Sequence, residues 1–371
     1  MDFSLNELQT MLADSISRFI DNEYDFDTRQ GYADSERGFS DEVWAKFADL
    51  GWTAVPFAEE DGGIGGGPAD VMVLMENLAR GLVVEPYLAN VVLAGGILSR
   101  TADDAQKERW LHPIIGGELH ATLAYHEPQA RYALADVATT ATPDGDGWRI
   151  SGSKGVVPNA ATADLIIVPA RTSGDAGDAD GITLFAVPAA DVTCQGYATV
   201  DGLRAAEIRL DDVYIGPDHV LGEIGAGFGP LDTTIDDATL AVCAEAVGLM
   251  RVLTDKTVEY SKQRVQFGVP IGSFQALQHR MVDMLMACEQ ARSVLLWAVM
   301  LHASGEDSKR AISSIKYLVG TAGQRVGEEA IQIHGGMGVT WDLDVAHFFK
   351  RLTVINRLFG NADWHLEALA A

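Results

Sequence analysis

The chain has 371 residues, 47% of them hydrophobic, and carries a formal charge of −26 at pH 7. That length supports one to three domains with a sizeable core. So strong a negative field argues against nucleic acid and against an anionic membrane as partners.

An anionic small ligand would need a local basic patch, and most of the acidity reads as solvated surface. Cys194, Cys243 and Cys288 lie far apart and are odd in number. They argue against a disulfide framework or a metal knuckle and for a reduced, cytoplasmic protein with no metal. The opening "MDFSLNELQTMLADSISRFI" is acidic early and lacks a cleavage pattern, so it does not read as a signal peptide. No apolar run approaches the length of a membrane span.

Three textures follow one another. Residues 1–119 read as a helical domain. Within it "SDEVWAKFADLGW" opens on an N-cap serine, Ser40, and places Trp44, Phe47 and Leu50 on one face. "ADVMVLMENLARGL" repeats the helical period. Between them "AEEDGGIGGGPA" follows no strand and precedes no Lys-Ser/Thr pair, so it is a loop and not a phosphate cradle. Residues 120–225 read as strands: "GWRISGSKGVV", "DLIIVPART", "GITLFAVPA" and "AAEIRLDDVYI" alternate or run apolar, with spacing that suits an antiparallel sandwich or barrel. "TSGDAGDADG" reads as a mobile polar hairpin tip. Residues 226–371 return to long helical periodicity, and no internal repeat is visible.

One stretch stands out: "QRVQFGVPIGSFQALQHRM", Gln263 to Met281. A helix breaks at Gly268 and resumes after Pro270 and Gly272. This buried-looking hairpin nevertheless carries an arginine, several glutamines and a histidine around Phe267. Arg264, Phe267 and Gly268, followed by Ile271, Phe274, Gln275, Gln278 and His279, resemble the Arg-x-x-Phe-Gly segment of acyl-CoA dehydrogenases. Downstream, "QIHGGMG" (Gln332 to Gly338) is similar to that family's Gln-x-x-Gly-Gly segment. "AYHEP", "GLRAAEI" and "LGEIGAGFG" occupy matching positions in the middle, so the resemblance covers nearly the whole chain. It is greatest to the small subunit of the pimeloyl-CoA dehydrogenase type, which pairs with a different, larger subunit.

The resemblance implies an α+β fold: an N-terminal helical domain, a middle antiparallel β domain and a C-terminal four-helix bundle. It also implies FAD as cofactor, an acyl-CoA thioester as substrate and electron-transferring flavoprotein as electron acceptor. FAD in this family lies across a subunit boundary. Arg264 is therefore expected at its pyrophosphate and Phe267 against the nucleotide. Gln275 and Gln278 are expected as polar contacts, and Gln332, Gly335 and Gly336 where backbone approaches the adenosine portion. The competing structural reading pairs Arg264 with an acid such as Glu259 and puts Phe267 in the core. Arg204 resembles a residue that braces the middle domain.

Departures from the family pattern matter as much. The reaction implied is α,β-dehydrogenation, in which a carboxylate removes the α-proton while hydride goes to the flavin. One usual position of that base is Gly360 here, and the other is Ala238. Nearby acids are Asp236, Asp237 and Glu245. Glu245 lies on the face of Ala238, seven positions on, roughly 10 Å along a helix. Capping of a helix N-terminus or structural pairing accounts for all three as well. The family's Thr-Glu-Pro-x-x-Gly-Ser-Asp becomes "HEPQARYALAD", adding His126, Arg131 and Tyr132, which suit CoA phosphates, a closed pocket or a solvated loop. Trp-x-Thr-Asn becomes "VVPN". Val156 cannot stack on an isoalloxazine as an indole does, and Pro158 has neither hydroxyl nor N–H to offer flavin N5.

Three readings follow. In the first, the chain is the small subunit of a heterotetramer whose larger partner supplies the base and the flavin-ring pocket. In the second it is a self-sufficient homo-oligomer with an unusual base, Glu245 first. The third makes it a non-catalytic, dehydrogenase-shaped scaffold. The acyl group is open between dicarboxylic, fatty and steroid-derived types; Arg131, Arg251 and Arg357 are the candidate cations for a distal carboxylate.

Overall fold

The computed structural model describes residues 5–370. They form two compact units, one of residues 5–31, 67–83 and 239–370, the other of residues 32–66 and 84–238. The helices of the first sequence block are thus shared between the two units. The outermost residues of the 1–119 and 226–371 blocks lie outside the described range.

The first block forms α1 (Glu7–Glu23), α2 (Phe26–Asp34), α3 (Asp41–Asp49) and α4 (Pro68–Leu78). A π-helical stretch at Leu88–Gly95 then runs into α5 (Gly96–Thr101), followed by α6 (Asp104–Gln106) and α7 (His112–Ile115). The α1 start is a reciprocal cap: Gln9 N–H donates to the Asn6 side chain at 2.8 Å and Asn6 N–H to the Gln9 side chain at 3.1 Å. Ser40 caps α3 as expected, accepting from Val43 N–H at 3.3 Å. Leu50 departs from expectation. The helix stops at Asp49, the period lapses, and Leu50 is 42% exposed. Trp52 takes the buried place instead, its ring 4.7 Å from that of Phe47.

The middle sheet contains β1 (Ala121–Leu123), β2 (Thr140–Asp144), β3 (Gly147–Pro158), β4 (Leu165–Arg171), β5 (Ile182–Pro188), β6 (Thr193–Ala198), β7 (Arg204–Ile215) and β8 (Val220–Leu221). The order is β6-β7-β3-β2-β4-β5-β8, with β1 beside β4. Hairpin pairings are antiparallel, whereas β1 and β2 each meet β4 in parallel. Alternate residues such as Ile150, Ile166, Val168, Phe185, Val187 and Ile208 share one core. The β4–β5 connection, expected to be mobile, is tied down. Buried Arg171 donates to the carbonyls of Ser173, Asp178 and Asp180 on it, and to those of Ala135 and Val137. Arg204 braces as expected, donating to Ala33 O at 2.9 Å and Ser35 O at 2.6 Å.

The last block contains α8 (Phe228–Gln263), a two-stranded ribbon of β9 (Val265–Gln266) and β10 (Val269–Pro270), then α9 (Gln275–Ala303), α10 (Lys309–His334), α11 (Asp344–Ile355) and α12 (Ala362–Ala370). Glycines let the helices close up. A Cβ at Gly248 on α8 would lie 2.2 Å from the Glu76 carbonyl on α4, and one at Gly327 on α10 would lie 2.3 Å from the Phe349 ring on α11.

Helix α9 corrects the sequence reading on apolar length. By length and composition it is long and apolar enough to cross a membrane, with a mean hydropathy of 1.3 in its most apolar window. The reason is that it is apolar on two faces. Met284, Cys288, Leu295 and Val299 are buried, while Val282, Leu285, Met286, Trp297 and Met300 are exposed. Its charges are partnered within the unit: Glu289 accepts from Arg251 and Arg292 donates to Glu76.

Candidate functional site

The stretch singled out in the sequence is a surface ribbon, not a buried helical hairpin. Helix α8 ends at Gln263, and the next residues pair across two strands with Val269 opposite Gln266. The ribbon closes at its base, where Ile271 N–H donates to Arg264 O at 2.8 Å. Phe267 and Gly268 form its turn, with φ of 54° and 83°, the two left-handed residues a tight hairpin turn requires. Glycine suits that geometry; phenylalanine is strained there. The Phe267 ring is 93% exposed and meets one other ring among the described residues, that of Phe274, edge-on with centroids 6.2 Å apart. Phe267 is therefore not core. Glu259 is engaged by Lys262, and no carboxylate among the described residues forms an ion pair with Arg264.

The second motif sits beside the first. Helix α10 ends at His334, and Gly335 turns the chain with φ 62° and ψ −142°, a conformation open to glycine. The two following glycines differ in cause. A Cβ at Gly338 would meet His334 and Ile331 at 2.9 Å, so packing within the chain demands glycine there. A Cβ at Gly336 would meet nothing within 4 Å, and its backbone needs no glycine. Tyr260 on α8 stacks on His334 at the end of α10, ring centroids 4.3 Å apart and planes 26° from parallel. Gln275, Gln278 and Gln332 are exposed around them. The Gln278 amide N–H donates to Gly272 O at 2.8 Å, which leaves its oxygen free to accept. A guanidinium without a carboxylate, an uncovered flat ring and backbone open to close approach fit the diphosphate and nucleoside end of a dinucleotide.

The expected base positions are closed. Gly360 has φ 101°, and a Cβ there would lie 2.6 Å from His365 and 2.7 Å from Trp364. Its carbonyl accepts from the buried Lys316 ammonium at 2.6 Å, and the Phe359 carbonyl accepts from His365 Nε2–H at 3.0 Å. Burial brings Lys316 down to about 8 and His365 to about 4. Ala238 is wholly buried. Glu245 is buried and held by Arg351 through two bonds, Nε to Oε1 at 2.5 Å and Nη2 to Oε2 at 2.7 Å. Asp237 pairs with Arg100, and half-buried Asp236 lies beside it. Helix capping does not explain these two, since α8 begins at Phe228, two turns earlier.

In the other unit, the end of β3 was expected to be a poor support for a flavin ring, and its geometry adds a reason. A bulge gives Val156 a φ of 52° and leaves it 48% exposed. Its N–H already donates to Glu207 at 3.2 Å, and the Tyr197 hydroxyl donates to the same oxygen at 2.8 Å. The Pro158 carbonyl is taken by the Thr122 hydroxyl at 2.7 Å. The end of β3 therefore offers an isoalloxazine neither an aromatic face at Val156 nor a free N–H at Val156 or Pro158. Of the inserted residues, Arg131 is exposed at φ 50°, and half-buried His126 has an Nδ1 with no partner among the described residues. The loop is anchored by buried Glu127, which accepts from Lys154 at 2.6 Å and from Ala138 and Thr139 N–H. Burial would raise the Glu127 carboxyl, but Lys154 outweighs it and holds the group at about 2. Arg251 pairs with Asp255 and Glu289 on the surface, and Arg357 is exposed.

Models of the acyl-CoA dehydrogenase N-terminal, middle and C-terminal domains match residues 6–118, 122–213 and 225–371. The chain belongs to the acyl-CoA dehydrogenase family, a family of oxidoreductases. It is 30% identical over 357 residues to the probable acyl-CoA dehydrogenase YngJ of Bacillus subtilis (strain 168), covering 94% of this chain and 93% of that one. The structure of PigA with FAD and proline superposes with a TM-score of 0.93 at 28% identity, over 100% of this chain and 98% of that one. The ChsE4-ChsE5 complex from Mycobacterium tuberculosis gives 0.91 at 25% identity, over 100% and 98%.

Sequence reasoning missed Tyr260, His334 and Lys316. Lys316 left one trace, a lone lysine on the apolar face of α10 between Ile312 and Val319. Tyr260 and His334 left none, because their contact joins residues 74 apart.

Proposed function

We propose that this chain is one subunit of an FAD-dependent acyl-CoA dehydrogenase. It lends its ribbon and its Gly335–Gly336 turn to a shared FAD, while a larger partner supplies the base and the flavin-ring pocket. The observation that carries this reading is the contrast within one unit: Arg264, Phe267 and Gly336 stand exposed, with no ion pair at Arg264 and nothing against Gly336 among the described residues, whereas Gly360 and Glu245 are closed by His365, Trp364 and Arg351. The exposed apolar face of α9 supports assembly with another chain. The existence of the ChsE4-ChsE5 complex as a two-component relative supports it too.

FAD, when bound, supplies the acceptor for the hydride removed from an acyl-CoA thioester. Arg264 presents a planar fork of donors to phosphate oxygens. Phe267 covers an apolar ring face and excludes water from it. Gly336 lets main chain come within contact of the nucleoside. Gln275, Gln278 and Gln332 complete the polar contacts. Proton abstraction falls to the partner, and electron-transferring flavoprotein takes the electrons onward.

The test is purification with and without a larger family member that has an intact glutamate. The chain alone is expected to be colourless and inert, and the pair yellow and active. A yellow solitary chain that bleaches anaerobically with acyl-CoA would favour the self-sufficient reading with Glu245 as base. A pair whose FAD content ignores Arg264→Ala would favour the scaffold.

A further inference from the structure

The ribbon is strained at its tip and thinly supported. Its turn puts a phenylalanine at φ 54°, and its two strands contribute only two residues each. A two-stranded ribbon of that size is not stable by itself in water, so its aim must be set at its base. Beyond the Arg264–Ile271 bond that closes it and the Gln278–Gly272 bond beside it, two packing contacts tie that base to the helices. Gly272 packs on Ser261, where a Cβ would lie 2.7 Å from the hydroxyl, and Tyr260 stacks on His334. Only the second reaches the other motif.

Tyr260 lies four residues before Arg264, and its carbonyl accepts Arg264 N–H at 2.9 Å. His334 immediately precedes Gly335. Its ring is fixed in turn, because Nδ1–H donates to Ala330 O at 2.8 Å. The Tyr260 hydroxyl approaches the His334 carbonyl at 3.4 Å, a long contact, so ring stacking is the main link. The charged side chains that act on His334 are Lys256 and Asp344, paired with each other at 2.8 Å.

We propose that Tyr260 and His334 are positioning residues for the nucleotide grip, setting the span between the Arg264–Phe267 ribbon and the Gly335–Gly336 turn. This rests on the reading that both motifs engage FAD. Loss of a stacked ring pair of this kind is expected to weaken the grip by up to about tenfold.

The test uses the full chain and the FAD-loaded assembly. Hydrogen exchange of the Arg264–Ile271 amides is measured on the full chain, and the FAD dissociation constant on the assembly. Tyr260→Ala should speed ribbon exchange and raise the dissociation constant about tenfold, with α9 and α10 still protected. Tyr260→Phe keeps the ring and should restore both. If Tyr260→Ala does not fold, Tyr260→Leu, which fills space without a ring, takes its place. Unchanged ribbon exchange in the ringless variant overturns the proposal, as does a fall in thermal midpoint with FAD affinity intact. Failure of the parent reading looks different: Arg264→Ala would leave FAD affinity untouched while Tyr260→Ala still loosened the ribbon.

Discussion

The ribbon at Val265–Pro270 and the turn at Leu358–Asn361 lie in the same compact unit and have opposite characters. Both use a non-glycine residue followed by glycine at positive φ: Phe267 and Gly268, Phe359 and Gly360. In the turn, the strained backbone is met on every side. Lys316 and His365 take its carbonyls, the Asn356 side chain accepts Ala362 N–H at 3.2 Å, and Phe359 is buried. In the ribbon the same backbone device holds a ring out into solvent. Strain persists where surroundings over-determine it; the turn finds them inside the chain and the ribbon does not. Equal local geometry therefore does not mean equal completeness, and completeness is the better guide to where a ligand or partner belongs.

The comparison breaks most forcefully at Gly360. Gly360→Glu restores a carboxylate in name, but its Cβ overlaps His365 and Trp364 and its backbone must hold φ 101°. We expect it to cost about 4 kcal/mol or more in urea unfolding and to create no dehydrogenase activity. Activity gained at normal stability would show that the turn is not closed.

Arg351→Met strands Glu245 as a buried unpaired carboxylate and should cost about 3–5 kcal/mol. Replacing both residues by methionine should recover most of that loss. Recovery would mark the pair as structural, whereas dehydrogenase activity lost with Glu245→Met at full stability would mark Glu245 as the base.

Lys316 sharpens the closed side through pH. Its pKa falls from 10.5 unfolded to about 8 folded, so between those values the unfolded chain holds a proton that the native chain has released. Stability from this residue should rise through that window by roughly 3 kcal/mol, with the full penalty present below about pH 8. Lys316→Met should flatten the rise in denaturation midpoints.

The smallest effect belongs to the open side. Gly336→Ala points a methyl into empty space at an ordinary backbone angle. Stability should change by less than about 1 kcal/mol, upward through the unfolded chain, yet FAD affinity should fall. A large loss of stability would mean that the glycine serves the chain's own packing.

Much of this was legible in the sequence. Strong alternation gave β3, β4, β5 and β7 nearly to the residue, and the Ser40 cap placed the start of α3. The shorter β1, β2, β6 and β8 were not seen, since two to six residues of mixed polarity carry little periodicity. That neither usual position of the family's base carries a carboxylate was readable from Gly360 and Ala238 alone. The reason no simple substitution restores it was not, because His365 and Lys316 reach Gly360 only through the packing of α10 and α12. The ribbon was misread as buried because apolar Val265, Phe267 and Val269 argue for a core by composition, and composition cannot say whose core. Glu207 occupying the Val156 amide depended on strand register, which a single chain does not spell out.

The bare Phe267 ring has a consequence for supply inside a cell. An apolar tip held outward on a tight turn is a ready mark for chaperones and proteases until something seats over it. On the proposed reading, in which a second chain brings a nucleotide over that tip, a surplus of this polypeptide would stay uncapped, and its synthesis would be expected to keep step with that chain's.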